Sequence, residues 1–293
     1  MTYSTARVKQ QLQALTDRLK SWPLYILPHH LVSRFIYRLT RIESRFVPAA
    51  IRQFAKLFNI DLQEAAQPDP GHYKTFNQFF TRSLKDGARE ISGNANQLCS
   101  PVDGRVSQLG PVSDGTIIQA KGRNYSVADL LGGRESDISA FANGTFATLY
   151  LSPRDYHRIH MPTAGDLCAM HYIPGRLFSV APHTVRVVPR LFARNERVVA
   201  IFNTSAGKVA MVLVGAINVA AIETVWAGLI TPPAQRNIEY KDYEPATHTL
   251  EKGQEMGRFN MGSTVILLLE NGTLRSDLSA GDPVRMGQFL GDC

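Results

Sequence analysis

Cysteine is scarce in this chain of 293 residues: Cys99, Cys168 and Cys293 are the only three. They form no CxxC pair and their number is odd, which fits reduced thiols in a cytosolic compartment rather than a disulfide framework. Long apolar runs are missing as well. A membrane-crossing helix needs roughly 18 or more uninterrupted apolar residues. The nearest approach, VAMVLVGAINVAAIETV at 209–225, is interrupted by Asn218 and Glu223 and reads as buried strands around a turn. The opening MTYSTARVKQQLQALTDRLK lacks the apolar core of a signal peptide, so none is expected. There is no internal repeat, no low-complexity tract, no glycine-rich phosphate loop and no Gly-x-Ser-x-Gly elbow of the kind that exposes a hydrolase serine.

Acidic residues are nearly absent from the first 60 positions, which hold ten Lys/Arg against two Asp/Glu. Residues 61–293 hold 22 against 23, so the formal charge of +7 sits wholly in the N-terminal fifth. A basic arm on a neutral body calls for a polyanionic partner, either nucleic acid or an anionic membrane surface. Residues 5–60 read as helical. Arg34, Arg38, Arg41 and Arg45 recur at helical spacing, and Phe35, Leu39, Ile42 and Phe46 form a neighbouring apolar stripe. Such a helix either packs its stripe on the domain and solvates its arginines or lies in a membrane interface. The aromatic residues upstream sit with Pro, Leu and Ile instead of interleaving with basic residues, which disfavours nucleic acid.

What is present after residue 67 has a different texture. Residues 68–96 read as a linker, a short helix and a loop. From Ser100 onward, short β-type runs alternate with Gly, Pro, Asp and Asn about every ten residues. The expectation is an α+β protein: a basic amphipathic helical region over 1–67 and a β-rich, sandwich- or barrel-like core over 68–293. Three polar clusters stand out in that core. SPVDGRV places Asp103 before a glycine, RDYHRIHMP contains His157 and His160, and GRFNMGSTVILLLENG sets Gly262-Ser263-Thr264 at the head of a strongly apolar run. The histidine pair lacks a third ligand at zinc-like spacing, so no metal is expected. Three residues apart on a strand, the two histidines face opposite ways and have separate jobs, unless a bulge near Pro162 brings them together. An Asp, a His and a Ser together suggest an activated serine, although spacing alone does not establish one.

These blocks, with FTRSLKDGAR (80–89), LFARNERV (191–198), IETVWAGLITPP (222–233) and KGQEMGRF (252–259), resemble the bacterial phosphatidylserine decarboxylases over roughly residues 22–291. Met261 stands where bacterial members usually have Leu, a mild exchange of thioether for isobutyl. The resemblance implies that the chain cuts itself between Gly262 and Ser263 into pieces 1–262 and 263–293, and that the processed pair could dimerise further. It implies that Ser263 becomes a pyruvoyl group, the only cofactor, which takes the substrate amine as a Schiff base. It assigns His160 as the base for cleavage, Asp103 as its orienting partner and His157 as the proton donor in decarboxylation. The residues alone do not distinguish the two histidines for that last step. Phosphatidylserine as substrate gives the basic arm a purpose: Arg34, Arg38, Arg41 and Arg45 would hold a peripheral protein on the cytoplasmic side of the cell membrane, with no nucleic-acid partner. A decarboxylase of a soluble amino acid and a non-enzymatic membrane-binding β-domain are the competing readings.

Overall fold

The computed structural model describes residues 2–120, 122–217, 221–231, 236–260 and 263–293. The chain opens with three helices: α1 (Thr2–Ser21), α2 (His29–Leu39) and α3 (Val47–Phe58). Prolines set their boundaries. Pro28 precedes α2, and Pro48 occupies the first turn of α3, where a missing N–H costs nothing. Asn59 ends α3 in the left-handed region (φ 53°), which asparagine tolerates, and donates its N–H to Ala55 O.

The expected continuous helical face from Arg34 to Arg45 is broken. The α2 helix stops at Leu39, and the Thr40 hydroxyl turns back onto the carbonyls of Ile36 and Tyr37. Arg41 and Arg45 therefore lie in the connection to α3. The apolar stripe is nonetheless exposed: Phe35, Leu39, Ile42 and Phe46 are each more than half accessible, as are Leu12, Leu15, Leu19, Trp22, Ile26 and Leu31. Two polar clamps hold this region on the body. Buried Asp17 of α1 accepts from Arg186 Nε and Nη2 at 2.7 and 3.0 Å. His29 of α2 donates from Nε2 to Leu24 O and accepts at Nδ1 from the Leu177 N–H. The inner face of α3 packs differently, with Ile51 and Val47 against Tyr73 and Phe79 and with Phe54 edge-on to Phe76.

The body is antiparallel β. A nine-stranded sheet runs in the spatial order Glu239–Asp242, Gly165–Ile173, Arg197–Thr204, Gly207–Val214, Thr264–Leu269, Thr145–Tyr150, Gly104–Pro111 and Pro283–Val284, with Thr249–Leu250 also paired to Gly165–Ile173. The α+β expectation holds, but the sheet is open at both edges and is not a closed barrel. Thr264–Leu269 lies between Val209–Val214 and Thr145–Tyr150 in unbroken register, with Thr264 opposite both Val214 and Tyr150. All six of its residues are buried, so both faces are covered and the strand reads as a continuous apolar run instead of an alternating one. At ~1.5–3 kcal/mol for each fully buried aliphatic side chain, Val265 to Leu269 contribute on the order of 10 kcal/mol before entropy is subtracted. A four-stranded sheet lies beside the first, ordered Gly228–Leu229, Ile222–Thr224, Glu255–Phe259 and Arg158–His160.

Candidate active site

Two connections cross between these sheets, and they cross side by side. Residues 151–157 lead from Thr145–Tyr150 of the large sheet to Arg158–His160 of the small one. Residues 260–263 lead back from Glu255–Phe259 to Thr264–Leu269. Two backbone bonds tie the crossings together: Leu151 N–H donates to Ser263 O at 2.9 Å, and Phe259 N–H donates to His157 O at 3.0 Å. The Gly262–Ser263 bond lies in the stretch they bracket. Gly262 itself, like Met261, lies outside the described residues.

Ser263 has no solvent exposure, and its Oγ has no hydrogen-bond partner among the described residues. A buried hydroxyl left unpaired costs about 1–3 kcal/mol. An orphan of this kind at the head of the most buried strand calls for a chemical explanation. His157 is also fully buried. Its Nδ1–H donates to Asp155 O at 2.7 Å, which leaves Nε2 as the lone-pair nitrogen, and that nitrogen is unpartnered too. Burial, reinforced by the nearby Arg82 charge, pushes the His157 pKa down to about 3, so the ring is neutral at pH 7. The Phe80 ring packs on it at 4.2 Å between centroids.

His160 is held by other partners. Its Nδ1–H donates to Gly253 O at 2.8 Å, and Nε2 accepts from the Tyr156 hydroxyl at 3.1 Å. Burial lowers its pKa as well. Asp103 does not hydrogen-bond His160. Its carboxylate accepts from Arg89 Nε (3.0 Å) and Nη2 (2.5 Å) and from the Met286 N–H (2.8 Å). Arg89 also donates to Glu64 at 2.8 Å. Burial opposes the Arg89 charge, but the bonds to Asp103 and Glu64 outweigh it and raise its pKa. The hydrogen bond that fixes the His160 ring is thus the one to the Gly253 carbonyl, while the charge of Asp103 reaches His160 without a hydrogen bond. Gly104 opens a strand, and a Cβ there would collide with Tyr150 O. That close approach brings Asp103 up to the crossing.

Sequence reasoning gave no role to Tyr156, Arg82, Arg89 or Glu64. Tyr156, Arg82 and Arg89 lie in quoted blocks, but only the folded contacts single them out. It also misplaced Arg41, expected on the membrane side. Arg41 is half-buried and stacked on Tyr37 with 3.6 Å to the ring centroid, and its Nη2 donates to Asn260 Oδ1 at 2.9 Å. Arg34, Arg38 and Arg45 are exposed. Asp103, Asp155, Tyr156, Arg82 and Arg89 line a cavity of about 310 Å³. Ser263, His157 and His160 are thus buried on or beside the two tied crossings, and a polar cavity lined by Asp155 and Tyr156 lies next to His157.

The chain belongs to the phosphatidylserine decarboxylase family. The family's sequence model matches residues 76–292, and a second model, described as PSD, matches residues 19–59. A phosphatidylserine decarboxylase proenzyme of Alkalilimnicola ehrlichii is 55% identical over 254 residues, covering 86% of this chain and 88% of that protein. The proenzyme of Shewanella sp. (strain MR-7) is 53% identical over 279 residues, covering 93% and 96%.

Proposed function

We propose that this protein cuts itself between Gly262 and Ser263 and then converts phosphatidylserine to phosphatidylethanolamine and carbon dioxide. The observation that carries this reading is the Ser263 hydroxyl, fully buried and unpartnered at the head of a strand that cannot leave the sheet. Ser263 Oγ attacks the Gly262 carbonyl, and the peptide becomes an ester as the Ser263 nitrogen is released. Loss of the Ser263 Cα proton then expels the Gly262 carboxylate and leaves a dehydroalanine, which hydrolyses to a pyruvoyl group and ammonia. Gly262 has no Cβ to crowd the attack. His160 is the base proposed for this step, with Tyr156 on its Nε2 as the group that must yield or relay the proton.

The surroundings fit a pyruvoyl group at position 263: a dry pocket, neutral histidines and an unpartnered Nε2 on His157. When present, that group acts as the electron sink for loss of carbon dioxide. His157, fixed by Asp155 O, presents Nε2 as a lone pair that must first take up a proton before passing it to the substrate carbon, and the ring of Phe80 helps exclude water. After cleavage, residues 263–293 stay paired through Thr264–Leu269, Pro283–Val284 and Phe289–Asp292, so the two pieces form one body.

Among the described residues no helix is long and apolar enough to cross a membrane. The exposed apolar residues of α1 and α2, set beside Arg34, Arg38 and Arg45, support docking on an anionic leaflet, where the substrate resides. The test is release of carbon dioxide from carboxyl-labelled phosphatidylserine in vesicles. Wild type is expected to release it and Ser263→Ala is not. Equal release by both contradicts the assignment.

A further inference from the structure

Arg82 is 6% exposed, yet it has no ion-pair partner among the described residues. Its one side-chain hydrogen bond runs from Nη1 to Phe79 O at 3.5 Å, and Nε has no partner. Asp103 and Glu64, the acids whose charges reach it, are already bonded by Arg89. Arginine does not neutralise itself by losing its proton, so a desolvated guanidinium with five donors and no anion is an unfinished interaction. Arg82 lines the cavity of about 310 Å³ together with Asp155 and Tyr156, the two residues before His157. The exposed Arg154 and Arg285 at the same cavity are ion-paired with Asp155 and Glu64, at 3.7 and 3.6 Å, so Arg82 is the cavity's arginine without an ion-pair partner among the described residues.

We propose that Arg82 binds the phosphodiester of the substrate headgroup, holding it in this cavity so that the substrate amine reaches position 263. The inference rests on phosphatidylserine being the substrate. The headgroup carries two anions, and chemistry chooses between them. A guanidinium on the carboxylate would stabilise the charge that disappears as carbon dioxide leaves, favouring the ground state. The phosphodiester keeps its charge throughout. Its planar-fork recognition by arginine lowers KM and leaves the chemical step alone.

The test uses the processed full-length chain, a short-chain phosphatidylserine and two probe inhibitors: glycerophosphoethanolamine, which has the phosphodiester and no carboxylate, and L-serine, which has the reverse. Arg82→Gln is expected to raise KM about tenfold or more while kcat changes little, and to weaken inhibition by glycerophosphoethanolamine to a similar degree. Arg82→Lys is expected to fall between the two, because it keeps the charge and loses the fork. An unchanged KM overturns the proposal. A fall in kcat alone does so too, and weakened inhibition by L-serine alone transfers Arg82 to the carboxylate. If Arg82→Gln fails to self-cleave, Arg82→Lys decides by the same KM criterion, and failure of both assigns Arg82 to processing and overturns the proposal. Wild type inactive on phosphatidylserine contradicts the proposed function instead, so the two failures are distinguishable.

Discussion

Arg41 Nη2 donates to Asn260 Oδ1 at 2.9 Å, a bond between the N-terminal region and the residue that begins the 260–263 crossing. Asn260 in turn donates its backbone N–H to Ala221 O. The basic arm is therefore tied by this bond to the segment that precedes the proposed cleavage bond. Arg41→Gln is expected to slow self-cleavage by about tenfold, since a hydrogen bond to a charged group contributes roughly 1.5–3 kcal/mol, discounted here for partial exposure. Arg45→Gln is expected to leave cleavage unchanged. A time course on denaturing gels checks both, and equal rates for the two variants would remove Arg41 from the site.

The surface arginines make a separate prediction. Replacing Arg34, Arg38 and Arg45 together with Gln should lower affinity for anionic vesicles by at most ~3 kcal/mol, at roughly 1 kcal/mol each. Wild-type binding should weaken with salt as the Debye length shortens from ~10 Å at 0.1 M to ~3 Å at 1 M. It should not vanish, because Phe35, Leu39, Ile42 and Phe46 remain exposed to insert. Flotation with neutral and anionic vesicles separates the two contributions. Salt-independent binding would contradict the electrostatic part.

His157 sets a pH dependence. Its folded pKa of about 3 lies below the ordinary histidine value near 6.5, so between these limits the unfolded chain binds more protons. Stability should therefore fall as pH falls through that window, by at most ~1.4 kcal/mol per pH unit from this residue. Urea unfolding of Ser263→Ala at pH 7 and pH 5.5 measures the drop on an uncut chain. Adding His157→Phe should make the drop smaller. An identical drop in both would mean that His157 is not buried and neutral.

Leu267 is buried on a strand paired on both sides. Leu267→Ala is expected to cost 2–5 kcal/mol through lost burial and a cavity. It should reduce processing and loosen the 263–293 piece. Size-exclusion chromatography followed by denaturing electrophoresis reads this directly. A mutant piece that co-elutes as stably as wild type would show that the strand is not what retains it.

How far the sequence could be read depended on the range of the interaction concerned. The Thr264–Leu269 strand was legible because a strand buried on both faces must be apolar throughout. Of the buried strands expected around a turn within 209–225, the strand ending at Val214 and Ile222–Thr224 are present; Glu223 sits inside the second, and Asn218 lies outside the described residues. The break after Leu39 was not legible, since the periodicity of Arg34 to Arg45 carries no sign that the Thr40 hydroxyl would turn back on α2 and Arg41 would fold onto Tyr37 and Asn260. Ser263, His157, His160 and Asp103 could be named from their blocks. Their partners could not, because Gly253 lies 93 residues from His160, and Met286 lies 183 from Asp103. The resemblance implied an Asp103–His160 partnership, whereas the hydrogen bonds of Asp103 go to Arg89 and a backbone N–H.

The central claim is that Ser263 makes its own reactive group, and intact mass under denaturing conditions tests it most directly. Wild type should separate into residues 1–262 and 263–293, with the small piece lighter than a free-serine peptide by the elements of ammonia. Ser263→Ala should give a single full-length mass. A small piece with an unmodified N-terminal serine, or cleavage that survives Ser263→Ala, would contradict the account.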